Sequence, residues 1–169
     1  MNRGLILFIG ICFFGAVSLI AEEKDNPYRL ESIEALLFYN QDNFQSSKKV
    51  AGTFSPNVID NADFHLWNTI IGEGSAEGHS DQSLVIVKVS RPPTKFGHPR
   101  KLEIEILEDG KPLLKKTDGF SIGDLKTQHA MAYLLSDTGC SEIVVKAKIM
   151  NEGKVESNLQ KTIPFGCGE

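Results

Sequence analysis

The chain has 169 residues, 41% of them hydrophobic and 24% charged, with 18 Lys and Arg against 22 Asp and Glu for a formal net charge of −4. That length suits one domain with a targeting segment and is short for two domains. The proportions are globular rather than disordered, and the acidic balance argues against a nucleic-acid partner, which calls for a basic face.

Residues 1–21 read as an address. Arg3 precedes an uncharged apolar stretch from Gly4 to Ala21, and the polar run Glu22 to Pro27 follows at once. A basic start, an apolar middle and small residues near the end make a secretory signal peptide. Ala16-Val17-Ser18 offers a small-x-small cleavage site. Cleavage after Ala21 leaves a cleaner polar start but places Leu19 at the −3 position, so both sites stay open. The competing reading is an uncleaved anchor, for which 18 apolar residues sit at the short edge. Cys12 follows Ile9-Gly10-Ile11 and lacks the small preceding residue of a lipid-anchor site. Cleavage removes Arg3 and Cys12, taking the net charge to −5 and leaving one domain over 22–169 with no membrane span. The expected location is the periplasm or the medium outside the cell.

Two cysteines then remain, Cys140 and Cys167. In an oxidising compartment a disulfide is the default reading. The 27-residue spacing gives about 3.5 kcal/mol by loop-closure entropy. No C-x-x-C occurs and no histidine adjoins either cysteine, which speaks against a reactive thiol.

Along the chain the dominant pattern is alternation. Leu30, Ile33, Leu36 and Leu37 fit a helical face, yet Ile33, Ala35, Leu37 and Tyr39 also alternate, and Phe38-Tyr39 tips 33–39 to strand. Ser83–Ser90 is uniformly apolar and reads as a central strand over 84–90. Leu102, Ile104 and Ile106 share a face opposite Lys101, Glu103 and Glu105, which gives a half-buried strand over 101–107. Glu108-Asp109-Gly110 joins it to a strand over 112–117 as a hairpin. The stretch from Asp124 to Leu135 fits either a helix capped at Asp124 or a strand over 129–135, and strand neighbours on both sides favour the strand. Ile143, Val145, Ala147 and Ile149 alternate with charges over 142–149. Asn151-Glu152-Gly153 reads as a three-residue loop into a last strand over 154–165. On that strand Val155, Leu159, Ile163, Phe165 and Cys167 keep one parity, and pairing Met150 with Lys154 would set Cys140 opposite Pro164. Seven short strands with Gly and Pro turns describe an all-β, immunoglobulin-like sandwich with one disulfide. The Cys–Trp–Cys spacing of antibody domains is absent, because Trp67 precedes both cysteines.

One segment, 57–81, departs from plain sandwich. It is long, rich in carboxylates, amides and glycine, and holds the sole tryptophan and two of four histidines. Long loops in compact domains carry function or disorder, and Phe64, Leu66, Trp67, Ile70 and Ile71 supply anchors against disorder. A ligand platform would use Trp67 to stack on a sugar or peptide, with Asn68, Asp63 and His65 beside it. A calcium-type site would use the hard oxygens of Asp60, Asp63, Glu73, Glu77 and Asp81, with His79 near, although the spacing matches no EF-hand. A zinc site from His65, His79 and Asp81 requires folding to bring them together. Against all of these stands the plain structural reading, in which Trp67 fills the core while Asp60 and Asp63 cap turns.

Catalytic signatures are missing. No G-x-S-x-G occurs, and Gly72-Glu73-Gly74-Ser75 lacks the lysine of a phosphate loop. Glu73 and Glu77 could serve a glycosidase, as any acidic loop could. Cys140 leads into Ser141-Glu142-Ile143-Val144, without the histidine of a copper site. The sequence therefore leads to a non-catalytic exported module that binds a protein or glycan partner through 57–81, needing no cofactor. A calcium-stabilised module or enzyme on the same loop is the alternative, and an envelope component pairing through an edge strand such as 154–165 or 112–117 is a third. An intact mass of the exported protein tests the address and the bridge together. It should show an N-terminus near residue 19 or 22 and a mass about 2 Da below the reduced form.

Overall fold

A computed structural model describes residues 27–40, 42, 49–59, 65–66, 77–78, 80–93, 97–136, 138, 141–163 and 166–167, with the backbone alone at 65–66 and 166–167. The leader 1–21 and Cys140 lie outside these residues, so the signal peptide and the disulfide are not described.

Among the described residues nine strands form: β1 (Arg29–Phe38), β2 (His65–Leu66), β3 (Gln82–Ser90), β4 (Arg100–Glu108), β5 (Lys111–Phe120), β6 (Gln128–Ser136), β7 (Ile143–Asn151), β8 (Lys154–Ile163) and β9 (Gly166–Cys167). The seven long ones make two antiparallel sheets, ordered β1-β3-β6 and β5-β4-β7-β8, while β2 and β9 pair in parallel. All seven expected strands are present, and β3 is central as its apolar run implies. Both ambiguous stretches are extended. Asp124 and Leu125 have φ of 55° and 62°, a left-handed pair that ends any helix before Gln128 begins β6.

Alternation builds the core. Ile33, Ala35, Leu37, Val85, Val87 and Val89 face Leu102, Ile104, Ile106, Ile143, Val145, Ala147 and Ile149, all buried. Each aliphatic side chain removed from water contributes roughly 1.5–3 kcal/mol before entropy is charged.

The expected hairpin at Glu108–Gly110 forms, and the turn at Asn151–Gly153 is tighter than the three-residue loop expected there. Glu108 pairs with Lys111 and Asn151 with Lys154, which leaves two-residue turns. Asp109 and Gly110 have φ of 48° and 76°, and Glu152 and Gly153 have 48° and 82°. Two successive positive φ values are the I′ pattern, whose twist matches that of the strands.

A bulge corrects the expected register of the last strand. Met150 pairs with Val155 but Ile149 with Ser157, so Glu156 is an extra residue. Farther along, Ile143 pairs with Ile163. Val155 therefore leaves the apolar parity and is 52% exposed, while Glu156 is turned inward, as bulges re-aim side chains. Its Oε1 accepts from the Tyr28 backbone N–H at 2.9 Å and its Oε2 from Arg100 Nε at 2.7 Å. Ser157 Oγ next to it accepts from Leu30 N. These bonds join β1 of one sheet to β8 of the other.

Tyr28 is the hub at that end. Its hydroxyl donates to the His98 carbonyl at 2.9 Å and accepts from Arg91 Nη1 at 2.9 Å and Ile122 N at 3.2 Å. The Arg91 and Arg100 guanidinium carbons lie 4.9 and 5.1 Å from its ring centroid, and Phe120 meets it edge-on at 5.4 Å. Gly97 packs against this plug so closely that a Cβ there would lie 2.3 Å from the Ile122 carbonyl oxygen.

The opposite side is closed by a polar seam. Tyr133 on β6 donates to Asp118 Oδ2 on β5 at 2.9 Å, and Lys116 pairs with the same carboxylate at 3.2 Å. Burial first, then the bond to Asp118, pushes the Tyr133 phenol well above its usual value. His129 stacks on Phe120 at 5.9 Å.

Tyr28→Phe strands the Ile122 N–H and one Arg91 N–H, and should lower stability by about 2 kcal/mol. Glu156→Ala removes the carboxylate of a buried pair and should cost more, about 3 kcal/mol. Urea midpoints at unchanged slope check both, and shifts within about 0.5 kcal/mol would show the hub to be dispensable.

Candidate functional site

Segment 57–81 begins and ends against the same end of the sandwich, where β1 finishes and β3 starts. Its approach is laid along the free edge of β1. Ser55 N donates to the Leu37 carbonyl and Val58 N to the Ala35 carbonyl, both at 2.9 Å. In return Leu37 N donates to Ser55 Oγ at 2.8 Å and Ala35 N to Asn57 Oδ1 at 2.9 Å. Two short polar side chains thus complete a ladder that a regular strand would otherwise supply. Before them, Asp42 accepts from Val50 N and Ala51 N, each at 2.8 Å.

Of the sequence-predicted residues, Glu77 and Asp81 are placed. The Glu77 N–H donates to Tyr39 Oη at 3.2 Å. Asp81 Oδ1 accepts from Asn40 Nδ2 at 2.8 Å, and its carbonyl accepts from Thr138 N at 3.1 Å. Both are fasteners of the loop's exit, and Asp81 already uses one carboxylate oxygen in that role. His65 lies in β2, whose backbone pairs with Gly166 and Cys167. Asp60, Asp63, Trp67, Asn68, Glu73 and His79 lie outside the described residues, so neither the platform nor the calcium set is assembled or broken here. Among the described residues no three His, Cys, Asp or Glu side chains gather as a metal site, and no helix is long and apolar enough to cross a membrane.

Three surface features escaped the motif search. The outer face of the three-stranded sheet carries one apolar row next to the Lys88–Glu34 ion pair. Leu36, Leu84 and Leu134 form one cross-strand row, and Ile86 and Ala132 flank it beside Glu34. Leu134 is 56% exposed, and next to the row Phe38 meets Phe54, itself 48% exposed, at 5.2 Å. The outer face of the other sheet is charged: Glu103 and Glu105 alternate with Lys115, Lys146 and Lys148 around a depression of about 350 Å³. Lys115 and Lys146 reach Glu105 at 3.7 and 3.9 Å, distances typical of surface pairs worth little. A hollow of about 610 Å³ lies at the hub end beside Arg100, Phe120 and Met150. The exposed parity of 84–90 and 129–135 carried the signal for the apolar face, but only once their adjacency is known.

No family model matches the chain and no curated protein matches it. Among solved structures, a family 2 glycosyl hydrolase from Bacteroides cellulosilyticus is 16% identical over 48% of this chain and 12% of its own, with a TM-score of 0.40. A β-galactosidase from Bacteroides fragilis is 17% identical over 48% of this chain and 13% of its own, at 0.39. A β-glucuronidase from Bifidobacterium dentium is 12% identical over 83% of this chain and 18% of its own, at 0.42. This chain thus spans less than a fifth of each enzyme's length, and no residue or activity carries over.

Asp42 gives the entry of the loop a measurable pH signature. The backbone bonds from Ala51 and then Val50 hold its carboxyl below 3.8. A folded value below the unfolded one means that its contribution is present above 3.8 and fades as pH falls through the folded value. A carbon-13 titration should place the Asp42 midpoint below 3.8, and a midpoint at or above it would show that the 50–51 turn is not capped this way.

Proposed function

We propose that the protein is an exported, non-catalytic, immunoglobulin-like module that binds a protein or glycan partner through the 57–81 segment. The observation that carries this reading is the anchoring of that segment. Its entry is bonded to the edge of β1 through Ser55 and Asn57, its exit to Tyr39 and Asn40 through Glu77 and Asp81, and its middle to β9 through β2. A rigid sandwich that holds a long loop at several points is the usual architecture of a recognition surface. Trp67 on that loop is the side chain best suited to anchor a ring or an apolar side chain, with Asp63, His65 and Asn68 as polar neighbours.

Strand order supports the immunoglobulin-like reading. Lettering the seven long strands A to G, the order A-B-E and C-F-G of a constant-type domain is kept, and only the fourth strand, β5, joins the second sheet instead of the first. The negative charge of the mature chain favours basic or neutral partners. Function as a metal module finds no support in Asp81, which is already engaged by Asn40.

Glycan and envelope-protein arrays probed with the mature protein test the reading. Wild type should bind one class, and Trp67→Ala should weaken that binding at least tenfold, as loss of an aromatic anchor does, with an unchanged melting temperature. Equal binding by the two proteins, or a melting temperature that falls on adding chelator, would overturn it in favour of a structural Trp67 or a metal site.

A further inference from the structure

We infer that the hollow of about 610 Å³ at the hub end binds a small zwitterion with an apolar side chain, a free amino acid in class. Two residues that line it break local preference. Gly119 is the first. It lies within β5, with Phe120 still paired beyond it, where glycine costs roughly 0.5–1 kcal/mol against alanine. Its φ is outside the left-handed region, its pairing with Lys101 is regular, and a Cβ there would meet nothing within 4 Å. Neither the backbone nor the packing calls for glycine, and a strand glycine of that kind marks a place where a ligand can approach closely. Glu152 is the second. It takes the first left-handed position of its turn, at φ 48°, where Asn, Asp or Gly is preferred, and the matching turn of the same sheet uses Asp109 there. Two local rules broken beside one hollow point to a function there.

The lining sets the chemistry of the occupant. Gly119, Lys101 and Met150 form one cross-strand row, so Lys101 has methionine on one side and no side chain on the other. Met150 and Phe120 give the wall its apolar part, and Lys101 and Glu152 bring one charge of each sign. Among the described residues neither of those charges has an ion pair or a side-chain hydrogen bond. Arg100 adds no net charge, because Glu156 holds it at 2.7 Å. A ligand with both charges and an apolar side chain therefore matches the lining, whereas a simple anion meets Glu152 and a simple cation meets Lys101. Phe120 is 8% exposed and has His129 stacked on it, so it presents no open ring face to a sugar. The hollow is also preformed. Glu156 and the Pro99 carbonyl fix Arg100, and Gly97 packs on Ile122 behind it, so little ordering opposes binding. All its lining residues are among the described ones. It lies at the end of the sandwich opposite segment 57–81 and does not depend on the reading proposed for that segment.

Backbone amide shifts of the mature protein, titrated with L-phenylalanine, test it. Saturable shifts should gather at 100–101, 119–121 and 150–153, with half-saturation below about 10 mM. Phenylpropanoate and phenethylamine, which each keep one of the two charges, should bind at least tenfold more weakly. Lys101→Gln and Glu152→Gln should each weaken phenylalanine binding at least tenfold. Gly119→Val should abolish binding while the melting temperature holds or rises, because a β-branched residue suits a strand better than glycine. Leu134→Ser, on the outer face of the other sheet, should leave binding unaltered. No saturable shifts, shifts centred elsewhere, or wild-type binding by Gly119→Val overturns the proposal. A melting temperature that falls in Gly119→Val makes that glycine structural and overturns it as well. Equal binding of either one-charge analogue overturns the zwitterionic class. Failure of the Trp67-dependent array binding strikes the 57–81 reading alone, so the two failures are separable.

Discussion

Glu156 holds the two sheets together at one end, and much of the architecture follows from its displacement by a bulge. On a regular β8 its side chain would point to solvent opposite Val155 and Ser157. Bulged out on β8 opposite the Ile149–Met150 step of β7, it turns inward instead, and one carboxylate then serves the Tyr28 N–H and Arg100 Nε together. A buried guanidinium without a carboxylate is costly, and Arg100 has one. Arg91 does not have one among its described bonds. It is buried against the Tyr28 ring face, the Tyr28 hydroxyl and the Ile122 carbonyl. The ring between the two cations offers its negative face to both, which eases a burial that would otherwise be prohibitive. The hub therefore works as a unit: the bulge places the acid, the acid holds one arginine, and the tyrosine holds the other.

That fastening is asymmetric, and the asymmetry shapes the surface. On the β1–β8 side the sheets exchange backbone-directed bonds, whereas on the β5–β6 side they meet through a few side chains, Tyr133 with Asp118 and His129 with Phe120. A side closed by backbone bonds leaves its strands committed. On the side closed by side-chain tips, β5 and β6 are the end strands of their sheets among the described residues. β5 answers with lysines and a proline, but β6 does not, so the difference between the two edges is chemical rather than geometric.

Most of the fold was legible because burial in a two-layer sandwich imposes period two, and Ile143, Val145, Ala147 and Ile149 can satisfy it only as a strand. The ambiguous stretch from Asp124 was resolved by backbone conformation that composition does not reveal, since Leu125 is an unusual residue for a positive φ. Bulges were the blind spot. A single extra residue leaves the composition untouched and inverts the parity on one side of it, so Val155 read as core and Glu156 as surface when the reverse holds. The hub was invisible for the same reason, together with the separation of Tyr28, Arg91, Ile122 and Glu156 along the chain. Of the candidate site, Glu77 and Asp81 bond to Tyr39, Asn40 and Thr138 where segment 57–81 leads into β3. Local sequence cannot distinguish a carboxylate that ligates from one that caps, because both want the same donors.

The two outer faces carry the last consequence of the strand order. β4 and β7 are neighbours, so their alternating Glu and Lys residues face one another and neutralise across strands, giving a surface that resists association through hydration. β1, β3 and β6 instead align Leu36, Leu84 and Leu134, and nothing polar interrupts that row. Had β5 joined the first sheet instead, its Lys115 and Lys116 would have added charge beside the leucine row. By joining the second sheet, β5 takes its charge to a face already charged, and the outer face of the first sheet keeps its one leucine row beside the Lys88–Glu34 pair.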